Sequence, residues 1–468
     1  MTAILKLLEK PTKERKIIMK KILGLFSLTV LVVLCTFSAN AAFSFEENRY
    51  IEDENTKIID HVVYELQGSQ YSVAAWFDTY EASQTVEEIN IVPEIDGIEV
   101  TGLRHYTSRE GHHWVNCTAK KINIPDTIKY LGLTCFSNLD GVEELTIPAS
   151  VKTIEYDSDT DTGLSYTFKG MESLKKVTFL GDVERLGGFQ DCKKLETVVF
   201  KGSVKTILTS AFENCTSLKS IDLPDTVQYI FDFAFRNSGL TSIEFPPNIR
   251  WFYDEFGYVF EDCKDLARIT FRQNVGLPVG YFDGCTALEE IVFTESCKSI
   301  YLYKGMFRDC TKLETISFPT TCEKLSIGDD TFRGCTALET VTLPKNCDSI
   351  TIGYRAFRDC KNLKTVNNTD NITKIYGGAF RDCTSLESFT ISNKTTMIGK
   401  NAFYGCKNLK TVTVNSKTKA PKLYANVFAK TNSALTFTAK NATAAKNWKT
   451  ALTKSGFKNA KVGYMHYV

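Results

Sequence analysis

The chain has 468 residues, 43% of them apolar and only 11 of them proline, which excludes a disordered or fibrous protein. Its formal net charge of +1 averages two unlike regions. Residues 43–387 hold 35 basic and 53 acidic side chains, whereas the last 81 residues hold fourteen lysines and no acid.

In chain order, the first element is a targeting segment. Lys20 and Lys21, an apolar run over 22–37 and the small residues Ala39-Asn40-Ala41 have the form of a secretory signal cleaved after Ala41. Residues 1–18 precede Met19, which would open a signal of ordinary length, so they read as a start-site misassignment. A retained anchor is the competing reading, disfavoured because the stretch is short for a membrane span. Leu34 before Cys35 is too large for a lipoprotein processing site. No second hydrophobic span and no wall-sorting tail is expected.

Residues 42–100 are expected to form an N-terminal β cap. VVYEL (62–66) and YSVAAWF (71–77) alternate as a hairpin does, and EEINIVP (87–93) has the form of a first array strand. Over 101–438 one unit, F-x-x-C-x-x-L-x-x-I-x-L, often followed by Pro, recurs about fourteen times; FENCTSLKSIDLP (212–224) is a clear copy. Its anchor aromatics include Trp114, Phe136, Phe168, Phe212, Phe307, Phe332, Phe403 and Phe428, spaced 21 to 25 residues apart except for one gap of 32 after Phe136. A period in the twenties around L-x-x-I-x-L is the pattern of a leucine-rich repeat. In each unit this segment reads as a short strand with its apolar residues inward, ended by prolines such as Pro224, Pro246, Pro319 and Pro344. A second apolar segment, as in SVKTI (203–207), returns the chain to the next aromatic. The predicted fold is an α/β-type, strand-dominated solenoid of about fourteen turns, a curved rod roughly 70 Å long with a parallel sheet. Residues 439–468 form the last cap. There NATAAKNWKTALTKSG (441–456) predicts a helix with Asn441 as N-cap, Gly456 as stop and Ala445, Trp448 and Leu452 on one face.

Fifteen cysteines in an exported chain would ordinarily mean disulfides. Repeat position argues for reduced, buried thiols instead. Ten, from Cys117 to Cys406, share the slot three residues after the aromatic, and Cys297, Cys322 and Cys347 share a column with Val204, Val227, Ile249 and Ile372. Side chains stacked in register point the same way, a poor geometry for bridging. With no C-x-x-C pair, zinc and thiol-exchange readings have no support.

Candidate sites lie where the repeat is broken. The insertion after Phe136 carries Asp157, Asp159 and Asp161, spaced as in calcium loops. However, Gly163 falls one place late and Phe168 replaces the closing Glu, so a solvated loop is the preferred reading and no cofactor is expected. His112 and His113, with His105 nearby, would need a third ligand and helical or hairpin spacing to hold a metal, and neither is visible. An aromatic stretch, WFYDEFGYVF (251–260), neighbours YIFDFAF (229–235). Tyr229, Trp251, Tyr253 and Tyr258 are candidates for an exposed aromatic patch, against ordinary packing on the return side. The outward strand positions, among them Thr146, Thr342 and Thr413, give a polar face without an acid–base pair or a Ser/His/Asp set. The basic end, with Lys417, Lys419, Lys422, Lys446 and Lys449, would attract polyanions; a well-solvated cap is the alternative.

On these motifs, residues 86–437 resemble the BspA-like leucine-rich repeats of bacterial surface and secreted proteins, including the I-G-x-x-A-F return of 398–403. The resemblance implies a right-handed solenoid on or outside the cell and a role in adhesion to host matrix or plasma proteins, or to other microbes. No binding residue carries over, since the motif residues are the core. The leading expectation is a non-catalytic module recognising extracellular proteins or glycans, with no nucleic-acid partner. The alternative is an envelope or biofilm scaffold that acts by self-association.

Overall fold

The computed structural model describes residues 43–44, 49–50, 54–75, 82, 85–103 and 118–464, except 138, 156–163, 251–256, 278–280, 283, 417–418 and 459. The signal segment, His105, His112, His113, Trp114, Cys117, Asp157, Asp159, Asp161, Trp251, Tyr253 and Lys417 lie outside the described residues.

Each turn of the chain crosses the molecule twice. The L-x-x-I-x-L segments form a front sheet of parallel strands in strict register: Thr315 pairs with Thr340 and Thr340 with Thr365, while Ser388, Thr411, Thr436 and Lys461 form another column. Return segments form a second parallel sheet, seven strands long between Val275–Leu277 and Lys422–Leu423. Burial follows the two-residue period: in Thr411–Val414, Val412 and Val414 are buried while Thr411 and Thr413 face outward. At the N-terminal end the expected hairpin is present, with Val62–Gln67 antiparallel to Gln70–Ala75, which then pairs with Ile98–Leu103. The predicted first array strand is Glu88–Asn90, parallel to Lys121–Asn123.

Between the sheets runs a single file of aromatic rings. From Phe136 to Phe428 successive anchors stack face to face, with centroids 4.4 to 5.4 Å apart. The rung spacing of a parallel sheet imposes this geometry, because identical side chains repeat at the strand-to-strand distance. A shorter file, Phe245, Phe271, Phe293 and Phe318, lies at the end of the front strands. Phe245 presents its edge to Phe260, the arrangement aromatic quadrupoles favour.

The turn that carries the aromatic needs two residues with positive φ. Two places after the phenylalanine stand Asp191, Asn214, Asn237, Asp262, Gly284, Asp309, Gly334, Asp359, Asp382 and Gly405, with φ from 51° to 77°. Aspartate, asparagine and glycine fill this column because they tolerate the left-handed region best. Gly353 is required for a different reason. A Cβ there would lie 2.5 Å from the Gly328 carbonyl carbon of the preceding turn, so only glycine lets the two backbones approach.

All 13 described cysteines are buried and free. They are more than small apolar fillers. Cys192, Cys215, Cys263, Cys335, Cys360, Cys383 and Cys406 each donate the thiol hydrogen to the carbonyl of the preceding turn's phenylalanine, at 2.9 to 3.1 Å. Cys135 stands outside this slot; it occupies the position just before the phenylalanine that other turns give to Ala211, Ala356 and Ala402.

The C-terminal helix spans Ala442–Lys454, with the Asn441 side chain accepting from the Ala444 amide at 2.8 Å and Ala445, Trp448 and Leu452 buried. It packs on Lys422–Leu423, the last return strand. Sequence reasoning missed the next element, the strand Lys461–Tyr464, which continues the front sheet beyond Thr436–Ala439.

Candidate functional site

Because the repeat letters are buried, any recognition chemistry resides in outward positions. On the front sheet these are mainly hydroxyls and charges. Thr340 and Thr365 hydroxyls lie 3.3 Å apart, and Asn367 reaches the Thr342 hydroxyl at 3.5 Å. Charged columns pair from rung to rung: Lys121 with Glu88 at 2.7 Å, Lys175 with Glu143 at 2.8 Å, Lys364 with Glu339 at 2.7 Å. Hydrogen bonds from the lysines hold the Glu88 and Glu143 carboxyls below their usual range. This face is polar and largely self-neutralised.

Of the aromatic candidates, Tyr229 and Tyr258 are described, and both are half-buried. They belong to different parts of the turn. Tyr229 is in a return strand, its hydroxyl accepting from Arg250 at 3.3 Å, while Tyr258 stacks on Phe233 at 6.0 Å beside the aromatic file. The guanidinium of Arg236 covers the Phe233 ring at 4.5 Å.

The basic end is where charge is left uncompensated. Lys419, Lys422, Lys446, Lys449, Lys454, Lys458 and Lys461 are all exposed. Lys446 and Lys449 share the helix face opposite Trp448, and the strand bearing Lys422 is one of three this helix packs on, with Thr436–Ala439 and Lys461–Tyr464. Among the described residues no lysine beyond Glu387 is in an ion pair. Their company is aromatic instead: Lys422 lies 4.6 Å from the Tyr424 ring centre, and Lys430 lies 5.3 Å from that of Tyr404, which Arg381 approaches at 4.9 Å.

A second charged feature escaped the reading of the sequence. Arg308, Arg333, Arg358 and Arg381 occupy one column, directly after the core phenylalanine in four consecutive turns. The signal was present as F-R in four consecutive turns at constant phase, but attention to the core letters hides what stands beside them.

Among the described residues no group of three or more His, Cys, Asp or Glu side chains is placed to hold a metal ion, and no helix is long and apolar enough to cross a membrane. Front strand, return strand and aromatic turn, repeated with a free choice of outward residues, define a leucine-rich repeat solenoid. A model of the BspA type leucine rich repeat region matches in six copies over 107–164, 158–256, 185–304 and 301–435, and the chain belongs to this family. No curated protein matches it. In structure it is similar to a leucine-rich repeat protein from Bacteroides ovatus ATCC 8483, with 21% identity, TM-score 0.48, and 82% of this chain and 100% of that one covered. It is also similar to a leucine rich cell surface protein from Faecalibacterium prausnitzii A2-165, with 18% identity, TM-score 0.35 and coverages of 89% and 96%. Pneumococcal vaccine antigen PcpA matches with 14% identity, TM-score 0.32 and coverages of 89% and 100%.

Proposed function

We propose that this chain is an exported, surface-associated recognition module that binds extracellular macromolecules without catalysing a reaction, and that its basic end engages polyanionic partners such as sulfated glycans or acidic proteins. The observation that carries the reading is the run of exposed lysines after Glu387, a stretch that contains no acid. Family membership supports it, as does the presence of a cell surface protein among the similar structures. Adhesion to host matrix or plasma proteins, or to other microbes, is the corresponding biological role.

The test is capture of the mature chain on immobilised heparin at low salt and at 0.5 M salt. Lys422→Gln, Lys446→Gln and Lys449→Gln combined should weaken retention at least tenfold and leave the melting temperature unchanged, because all three side chains are exposed. Retention that persists at 0.5 M salt, where the screening length is about 4 Å, would refute an electrostatic mode. The contrast between an acidic body and a basic end favours a second reading, head-to-tail self-association into a scaffold. Its mark would be light scattering that rises with concentration and vanishes in salt.

A further inference from the structure

In the first half of the solenoid, the column after the core phenylalanine neutralises itself. It reads Glu213, Arg236, Glu261 in successive turns, and Arg236 reaches Glu213 at 2.9 Å and Glu261 at 4.0 Å. In the second half the column holds Arg308, Arg333, Arg358 and Arg381, above rings spaced 5.4, 5.3 and 5.3 Å apart. Like charges at rung distance repel, so compensation must come from elsewhere in each turn. Arg358 and Arg381 take it from the aspartate that follows them, at 3.2 and 3.1 Å, and Arg308 approaches Asp309 at 3.7 Å. Arg333 is followed by Gly334. Its ion-pair partner is Asp330 at 3.7 Å, which also approaches Arg355 at 3.3 Å.

A cleft of about 550 Å³ opens at this irregular rung. Arg308, Arg333 and Lys361 bring three positive charges to it, Asp309 and Asp359 bring two negative ones, and Thr311 and Thr336 add hydroxyls. It is a wide, open groove with a predominantly polar lining. Guanidinium forks recognise a carboxylate or sulfate, whereas carboxylates and threonines pair with hydroxyls. A bare inorganic anion would leave the threonine hydroxyls and the outer carboxylate oxygens unused, and a neutral sugar would leave the Lys361 ammonium, which is in no ion pair among the described residues, without a counter-charge. We propose that the cleft around Gly334 binds a carboxylate-bearing sugar unit of an acidic glycan, at a site separate from the lysines of the C-terminal end.

The test is titration calorimetry of the mature chain with trigalacturonic acid, against the neutral trisaccharide maltotriose. Two variants and two controls follow. Arg333→Gln removes the cation. Gly334→Asp restores the missing carboxylate, and the backbone accepts it, since Asp309 and Asp359 occupy the same column at φ 59° and 64°. The new Cβ would displace the Asp309 carboxylate, the free end of a flexible side chain. Arg381→Gln and the lysine triple variant leave the cleft intact. Binding of the acidic trisaccharide is expected to fall at least tenfold in Arg333→Gln, to vanish in Gly334→Asp at an unchanged melting temperature, and to persist in both controls. Equal binding of the neutral trisaccharide, retained binding in a folded Gly334→Asp, or no acidic-sugar binding at ~10 mM would overturn the proposal. Loss in the lysine triple variant alone would assign the glycan to the basic end instead.

Discussion

The thiol of Cys360 shows how a single residue type serves two ends here. It fills a volume inside the turn and donates to the Phe332 carbonyl at 3.0 Å, which also accepts from the Cys335 amide at 3.3 Å. Cys360→Ala should therefore destabilise by about 1–3 kcal/mol in a denaturant melt, from lost volume plus one lost hydrogen bond to that carbonyl. Burial raises these thiols above their ordinary range, Cys263 to about 11 and Cys192 to about 12. Unfolded cysteine ionises near 8.5, so the stabilisation is complete below that pH and is lost as pH rises toward the folded values. The melting temperature is expected to fall steadily from pH 8.5 to 11, and less steeply in a Cys192→Ala, Cys263→Ala variant. Within the second cysteine column, Cys322 donates to the Lys324 carbonyl at 3.4 Å and Cys347 to the Glu323 carbonyl at 3.2 Å. Gly353→Ala belongs to the same scale. The added methyl meets the backbone of the turn below, and a loss of about 1–3 kcal/mol should appear in the same melt.

At the scale of elements, the C-terminal helix was legible because its signals are local. Asn441 caps it, Gly456 follows it with φ 96°, and Trp448 and Leu452 recur at helical spacing. Asn441→Ala should cost about 0.5–2 kcal/mol by removing the acceptor for the Ala444 amide. Trp448→Ala should cost about 3–5 kcal/mol, because the ring is fully buried over the last turn. Chevron or equilibrium denaturation of the two variants separates these magnitudes. The strand Lys461–Tyr464 was not legible for the opposite reason. Four residues containing a glycine carry almost no periodicity, and only the neighbouring Thr436–Ala439 gives them a partner. The arginine column was invisible in the same sense: each F-R pair is unremarkable alone, and its meaning arises when rungs bring four of them together.

Across the whole molecule, stability passes from turn to turn through the aromatic file. A solenoid of this kind approximates a sum of units and nearest-neighbour contacts. Phe307 touches Phe282 and Phe332, so Phe307→Ala should both remove about 3–5 kcal/mol and uncouple the two halves. Calorimetry would then give a van't Hoff enthalpy below the calorimetric one; a single cooperative transition would contradict this nearest-neighbour picture.

By itself the sequence determined the repeat, its period, the inward and outward positions of each strand, the buried cysteines and the helical cap. All of these follow from local alternation and from letters recurring at one phase, information each turn holds separately. Only the tertiary structure decided which outward residues become neighbours: the self-neutralised rungs of the front sheet, the cysteine-to-carbonyl links, the lysines of the last helix beside the strand of Lys422 and the cleft beside Gly334. Those depend on register between turns more than 20 residues apart, which no single repeat encodes.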